Sequence, residues 1–419
     1  MSAATTETVS TLNGLFKMVY ANEVTNLIPD GVKAVKMYKF SEADRIGNKF
    51  NFPVKVTHPQ SLTYAAAGDG AFALNAIIAG QSKNAEVDGA QLLLRDSMDY
   101  ESAAKASEGG QRAFVKATRF MVEGMIEQMS KRLEIEAFYG GSGLGSAVVT
   151  ASSTSFSCII TAATFAPLMW SGMEGCKLDC YSGASKLTAT LPVTVTAIAL
   201  STRTITGTIS ASDASGLNSQ TVDLYFYGAY GKEFYGIDKI VTNSSTLFGI
   251  DASSYPLWTG SSYSAGSAAL SLSKIEAACA QAAAKGGLDG EAVCWVSYKT
   301  WANLCSDMAA LRMFDGSYSK DGVNGFQSIK FFAINGPVEV IPSGYVKEGE
   351  AFILPKQGIM RIGATDMTFN IPGQANESDE RFFFPIADYA GFELRLFSHQ
   401  AMVIKTPAKC VKITTIVNS

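Results

Sequence analysis

The sequence is short of charge. Only 17% of its 419 residues are Asp, Glu, Lys or Arg, while 47% are apolar; an ordinary soluble domain carries roughly a quarter charged residues. A disordered or polyelectrolyte chain needs the opposite balance and is excluded. The 34 basic and 38 acidic side chains leave a net charge of −4, and the pI is about 5.5. No run of Lys and Arg is long enough to coat nucleic acid. Histidine is nearly missing, present only at His58 and His399. A Ser-His-Asp or Cys-His device needs an imidazole within reach of its nucleophile, so little room is left for one. No apolar run approaches the ~18 residues of a membrane-spanning helix. The opening residues lack a basic start followed by an apolar stretch, so no signal peptide is expected.

Cysteine is sparse and unpatterned. Cys158, Cys176, Cys180, Cys279, Cys294, Cys305 and Cys410 form an odd, scattered set, read as small buried hydrophobes in a reducing compartment. Three residues separate Cys176 from Cys180, wider than a tight zinc pair, and no second pair matches them. The sequons at Asn243 and Asn376 then read as chance matches. Ser378-Asp379-Glu380 reads as a solvated turn, and a two-carboxylate sugar site is spatial and has no sequence pointer. No catalytic, cofactor-binding or metal-binding residue is assigned, and no cofactor is expected.

What is present is strongly patterned. Residues 1–40 are mixed, with an apolar patch at 12–20, and read as an arm. Phe50, Phe52, Val54 and Val56 then alternate with Asn51, Pro53 and Lys55, which is strand periodicity. Pro53 argues for an edge or exposed ribbon. Leu62 and Tyr64 continue the pattern, Gly68-Asp69-Gly70 breaks it, and Ala71-Phe72-Ala73-Leu74 resumes it. Residues 47–95 therefore read as a long two-stranded excursion with little core of its own, marginal unless it lies against something. The candidate partner-contacting residues on it are Phe52, Val54, His58, Leu62, Tyr64, Phe72 and Leu74.

Residues 111–139 hold no Pro and one internal glycine, Gly124. Val115, Val122, Ile126, Met129 and Leu133 recur at helical spacing and form the expected core face; Glu123, Glu127, Lys131, Arg132, Glu134 and Glu136 fill the rest of the wheel. Gly140-Gly141-Ser142-Gly143-Leu144-Gly145 stops this helix. It is no phosphate loop, since it follows a helix, precedes strands and holds no Lys. Residues 147–230, rich in Thr, Ser and Val, alternate in short segments and read as an inserted all-β module. Mixed α/β text follows: helices at 274–285 and 298–308, a buried strand at 293–296, strands between 329 and 362, and terminal strands at 392–396, 402–404 and 411–417. His399 is placed in a turn between terminal strands, and Phe331-Phe332, Phe382-Phe383-Phe384, Trp295 and Trp301 are core candidates. The shortage of charge leaves two surfaces open: one that meets other protein, or one solvated by Ser, Thr and Gly.

The order of elements resembles the major capsid proteins of tailed phages, the Hong Kong 97-type fold. Gly70-Ala71-Phe72-Ala73-Leu74-Asn75 through Val87-Asp88-Gly89-Ala90-Gln91-Leu92-Leu93-Leu94-Arg95 is similar to the returning half of that family's extended loop. The helix with Lys131-Arg132-Leu133-Glu134 and its closing glycine run resembles the spine helix. Tyr235-Gly236-Ile237-Asp238-Lys239-Ile240-Val241 resembles the re-entry after an insertion. The helix from Lys274, Cys294-Trp295-Val296, Trp301 and Gly336-Pro337-Val338-Glu339-Val340-Ile341-Pro342 resemble the axial domain. The resemblance implies an α+β fold divided into an N-terminal arm (1–40), an extended β-hairpin loop (41–97), a spine helix and peripheral domain (98–146, completed by 376–419), an inserted β domain (147–235) and an axial α/β domain (236–375).

It also implies a non-enzymatic subunit that self-assembles into pentamers and hexamers of an icosahedral shell around double-stranded DNA, without sequence-specific binding and without a membrane. Expected partners are further copies of the chain, a separate scaffolding protein (the chain carries no long helical scaffolding segment), a portal and a decoration protein. Assembly would be noncovalent, in the host cytoplasm, and the product a virion. A surface-array or adhesion protein, a two-carboxylate enzyme and a microbial nanocompartment shell stay open as alternatives.

Overall fold

The computed structural model describes residues 31–41, 47, 49–68, 70–101, 111–306, 329–369, 384–386 and 390–418, with the backbone alone for 111–120. The apolar patch at 12–20, Asp69, the Val115 side chain, Asn376, Ser378-Asp379-Glu380, Phe382 and Phe383 lie outside the described residues.

The spine helix, Gln111–Tyr139, is 29 residues long, about 43 Å at 1.5 Å per residue. Met125, Met129 and Leu133 are buried at four-residue spacing, and every residue from 133 to 139 is buried. Two expectations change here. Ile126 is 39% exposed and Val122 only half-buried, because the contact stripe runs through Met125, one position and about 100° round the helix from Ile126. Lys131, Glu134 and Glu136 are buried rather than solvated, since other elements surround the last two turns. There Phe138 meets Trp295 edge-on at 5.5 Å and Tyr139 meets Phe352 at 6.0 Å.

At Gly140 the helix stops against the returning chain. A Cβ there would sit 2.1 Å from the Phe234 carbonyl oxygen, and Gly236 N–H donates to the Gly140 carbonyl at 2.9 Å. The glycine is required by this close approach as well as by helix termination.

The insertion follows at once. Thr221–Phe226, Gly145–Ser152, Ser155–Ile160, Thr204–Thr208, Val193–Ala199 and Lys177–Ser182 pair in that order, and Thr221–Phe226 pairs back onto Lys177–Ser182. The result is a closed antiparallel barrel with a short Ser185–Lys186 appendage. Alternate residues such as Ala147, Val149, Phe156, Cys158, Ile205, Leu178 and Leu224 fill it, as a small barrel requires.

A six-stranded sheet forms the axial part, ordered Ser261–Ala268, Val411–Ile416, Ala351–Pro355, Ala292–Val296, Gly336–Pro342, Ile329–Ala333. Its central strands Ala292–Val296 and Ala351–Pro355 are buried throughout, the pattern of a sheet covered on both faces. The parallel pairing of Ala292–Val296 with Gly336–Pro342 needs a crossover, and helix Tyr298–Ser306 lies in it. Helix Leu272–Gly286 ends on Gly287 at φ 61°, a left-handed glycine stop. On the edge strand Phe331 is buried but Phe332 is 79% exposed. Alternation sends the two rings to opposite faces, so only one is core.

The peripheral sheet differs most from expectation. Its long strand, Gly391–Ile404, pairs antiparallel with Ile359–Thr368 on one side and with Ala90–Asp99 on the other. Residues 90–95 therefore belong to this sheet and not to the ribbon. His399 lies inside the long strand, not in a turn. The strands at 392–396 and 402–404 are one element, and a 3-10 turn opened by Pro407 redirects the chain. Val411–Ile416 then enters the axial sheet, whereas Ile359–Thr368 leaves it. Sheet membership is a long-range choice that local alternation does not encode.

Candidate assembly surfaces

The ribbon has an anchored base and an uncovered end. Phe50–Lys55 pairs with Ser82–Val87, with Phe52 opposite Ala85 and Val54 opposite Lys83. Ala85 and Val87 are fully buried, the Phe52 ring lies 6.2 Å from Trp258, and Glu86 N–H donates to the Phe248 carbonyl at 2.9 Å. Phe52 and Val54 are half-buried against the chain's own core, so these two candidates help anchor the base of the ribbon. Alternation aims them at the body because the strand lies on it.

Past Lys55 the ribbon leaves the body. Val56 and Thr57 N–H donate to the Gln81 carbonyl, and Gln60 N–H to the Ile78 carbonyl at 3.1 Å. Asn75 Nδ2 donates to the Leu62 carbonyl at 2.8 Å. These rungs hold a long hairpin without packing it. Leu62 is 66% exposed, Tyr64 88%, Phe72 51% and Leu74 80%, and His58 is exposed too. The structure adds Ile77 and Ile78, at 89% and 57%. Both stand in a stretch without charge beyond the resumed alternation, which is the signal that would have found them. Burying six such side chains, at about 1.5–3 kcal/mol each, is worth on the order of 10 kcal/mol before ordering costs.

The body that carries this ribbon is tied together through the spine helix. Glu134, with no exposed surface, accepts N–H bonds from Lys33 at 3.0 Å, Ala34 at 2.8 Å and Val35 at 2.8 Å. Burial still pushes its carboxyl above the usual range, against those three donors. Tyr38 completes the tie: Trp295 Nε1–H donates to its hydroxyl at 3.1 Å, and Arg361 Nε to its carbonyl at 2.8 Å. Beyond the helix end, Lys347 N–H donates to the Tyr139 hydroxyl at 2.9 Å and Lys347 Nζ to the Gly143 carbonyl at 3.0 Å. Lys412 pairs with Asp238 at 2.5 Å and with Glu350 at 2.8 Å. No spacing rule marks any of these contacts in the sequence.

On another face of the helix lies a cavity of about 660 Å³, bounded by residues 90–94, the helix, the loop at 172–177 and the barrel rim at 226–229. The Arg132 guanidinium lies 3.1 Å from the centroid of the Phe226 ring, and its Nη1 is buried with no hydrogen-bond partner. Burial, then the neighbouring Glu233, pushes Glu136 up to about 8. Lys131, which donates to the Ser171 carbonyl, is brought down to about 8 by burial and then by Arg132. Cys176, half-buried at the wall, is a free thiol that burial raises to about 11. Its lining mixes apolar side chains such as Leu92, Leu94, Met129 and Phe226 with the charged Arg132, Glu136, Glu174, Lys177, Lys232 and Glu233. Among the described residues no group of three or more His, Cys, Asp or Glu could hold a metal, and no helix is long and apolar enough to cross a membrane.

No protein-family model and no curated protein matches the chain. Solved structures do. The capsid asymmetric unit of Cyanophage A-1(L) matches over 98% of this chain and 99% of its own, with a TM-score of 0.58 at 11% identity. The capsid of a native GTA particle matches over 99% and 100%, with a TM-score of 0.50 at 8% identity. At such identities the likeness shows the fold, which is the Hong Kong 97-type capsid fold with helix, sheets and insertion as described above.

Proposed function

We propose that a chain with this fold is a major capsid (head) protein of a tailed phage, which self-assembles into the pentamers and hexamers of an icosahedral shell around packaged double-stranded DNA. The observation that carries the reading is the ribbon end: apolar side chains on a hairpin with no core beneath it, projecting from an anchored base. Such a hairpin is stabilised by lying on a second copy. Head-to-tail contacts of that kind close into rings when the rotation closes. Repeated around a shell they give stability by multiplicity, so no single pair need bind tightly. The mildly acidic chain also suits a container for DNA, because a basic lining would hold phosphate by counterion release.

The same reading takes assembly to be noncovalent and to occur in the host cytoplasm, with a separate scaffolding protein, a portal and a decoration protein as partners, and the virion as the final location. The test is electron microscopy of the overexpressed chain. Closed particles of uniform diameter are expected, and deletion of residues 59–70 should leave a soluble, folded subunit that makes none. Concentrated protein that stays as single chains, or normal particles from the deletion, would overturn the reading.

A further inference from the structure

A lysine of the axial sheet reaches into a junction nearly closed to water. Lys412 stands on the strand Val411–Ile416, in register with Phe352. Its Nζ lies 2.5 Å from Asp238 Oδ1 and 2.8 Å from Glu350 Oε1, so one amine touches two carboxylates. The side chains of Lys412, Asp238 and Glu350 are 11%, 10% and 16% exposed. The Phe352 ring lies 5.8 Å from Nζ and packs on Tyr139 at 6.0 Å, and Lys347 Nζ lies 4.0 Å from the Tyr139 ring centroid. Glu350 Oε2 is buried with no hydrogen-bond partner. A sealed, unmet acceptor is costly in a purely structural ion pair, but it is a place where a proton can be set down.

Other lysine pairs of the chain are built differently. Lys49 with Glu86 and Lys356 with Glu291 are exposed on both sides. Asp179 is fully buried, but its partner Lys186 is a third exposed. The further contacts of Asp179, from the Thr188 hydroxyl at 3.2 Å and the Gly228 N–H at 3.0 Å, are hydrogen-bond donors that cannot take a proton from the amine. At Lys412 the nucleophile, the acid and a proton carrier meet on one nitrogen.

We propose that Lys412 and Asp238 of the same chain condense to an isopeptide bond, with Glu350 as the proton carrier. Burial opposes the charge on Lys412, but Asp238 and then Glu350 outweigh it and raise its value, so the cluster starts as an ammonium between two carboxylates. Glu350 takes one proton from Nζ and passes it to a carboxylate oxygen of Asp238. The freed lone pair attacks Asp238 Cγ and forms the C–N bond. A second proton passes from the nitrogen through Glu350 to the same oxygen. The C–O bond then breaks with its electron pair on oxygen, and one water leaves. Nothing is oxidised or reduced, and Glu350 ends as it began. Contact between the groups removes the entropy of encounter, and exclusion of water protects the amide from hydrolysis. Two opposite charges also leave a site where both are costly. The bond closes a loop between positions 174 apart, restricting the unfolded chain, and ties the axial sheet to the helix Ile237–Val241 behind the barrel. It lies within one chain, so contacts between copies stay noncovalent.

Intact mass spectrometry of the purified, denatured chain tests it. Once removal of Met1 is accounted for, the main species should be lighter than its sequence requires by the mass of one water. Trypsin should release a branched peptide that joins residues 233–239 to residues 410–419, uncut after Lys412. Lys412→Arg and Glu350→Gln should each return the full mass. A main species at the full mass overturns the bond, as does a loss of water that maps to another peptide or survives Lys412→Arg. Loss of water in Glu350→Gln as complete as in the parent overturns the part given to Glu350. The parent mass and the branched peptide decide the bond even where a variant fails to fold, and whether particles form bears on none of these outcomes.

Discussion

Glu136 sits where a charge is costly, and its environment fixes a pH dependence. Its folded value, pushed up to about 8 from an ordinary 4.5, means that the unfolded chain ionises first as pH rises. Below pH 4.5 both states hold the proton and the residue contributes no difference. Between pH 4.5 and 8 only the unfolded state releases it, and each pH unit costs the fold about 1.4 kcal/mol. Glu136→Gln removes this dependence. In urea unfolding of unassembled subunits, the variant should gain about 2 kcal/mol or more on the parent between pH 5 and pH 8. A constant difference between the two pH values would refute the buried-carboxyl account. The residue was legible in sequence only as part of a charged helix wheel. Its burial comes from the loop at 172–177 and the barrel rim, more than thirty residues away.

Glycines and strands show the same division at the scale of elements. In the sequence Gly89 belongs to the ribbon's return, yet in the fold it packs directly under His399 across the peripheral sheet. A Cβ on Gly89 would lie 2.2 Å from His399 Cε1, and His399 Nδ1 accepts the Ala364 N–H at 3.2 Å. Gly89→Ala must tilt that ring and weaken the bond, at an expected cost of about 1–3 kcal/mol. His399→Ala opens the space, so the double variant should lose less than the sum of the two single losses. Strict additivity in thermal or urea unfolding would show that the two sites do not touch. The alternation at 50–56 was readable because strand periodicity is local. Which strand each segment joins was not, because residues 90–99 and 391–400 meet across three hundred positions.

For the whole molecule, the insertion and the ribbon are opposite solutions to one problem. The barrel closes on itself, so its strands between Gly145 and Phe226 leave no open ladder around the ring and enclose their own apolar filling. Expressed alone, residues 144–228 should give a β-type circular dichroism spectrum and a single cooperative thermal transition. A random-coil spectrum would show that the spine helix is needed to hold the barrel shut. The ribbon, by contrast, keeps its apolar end uncovered. Low charge fits both, since the barrel holds its apolar side chains inside and the ribbon end carries apolar side chains and almost no charge.

The sequence by itself determined the elements: the alternation of the ribbon, the 29-residue helix and its glycine stop, the Thr- and Val-rich insertion, and the order that resembled a capsid subunit. These follow from periods of two and 3.6 residues and from backbone freedom at glycine, all properties of neighbours along the chain. Only the tertiary structure decided that Phe52 and Val54 pack on the core while Ile77 and Ile78 are exposed, that Glu134 grips the arm, and that Ala90–Asp99 pairs with a strand some three hundred positions away. Burial and partnership depend on what arrives from distant segments, and that is settled when the sheets and the helix pack.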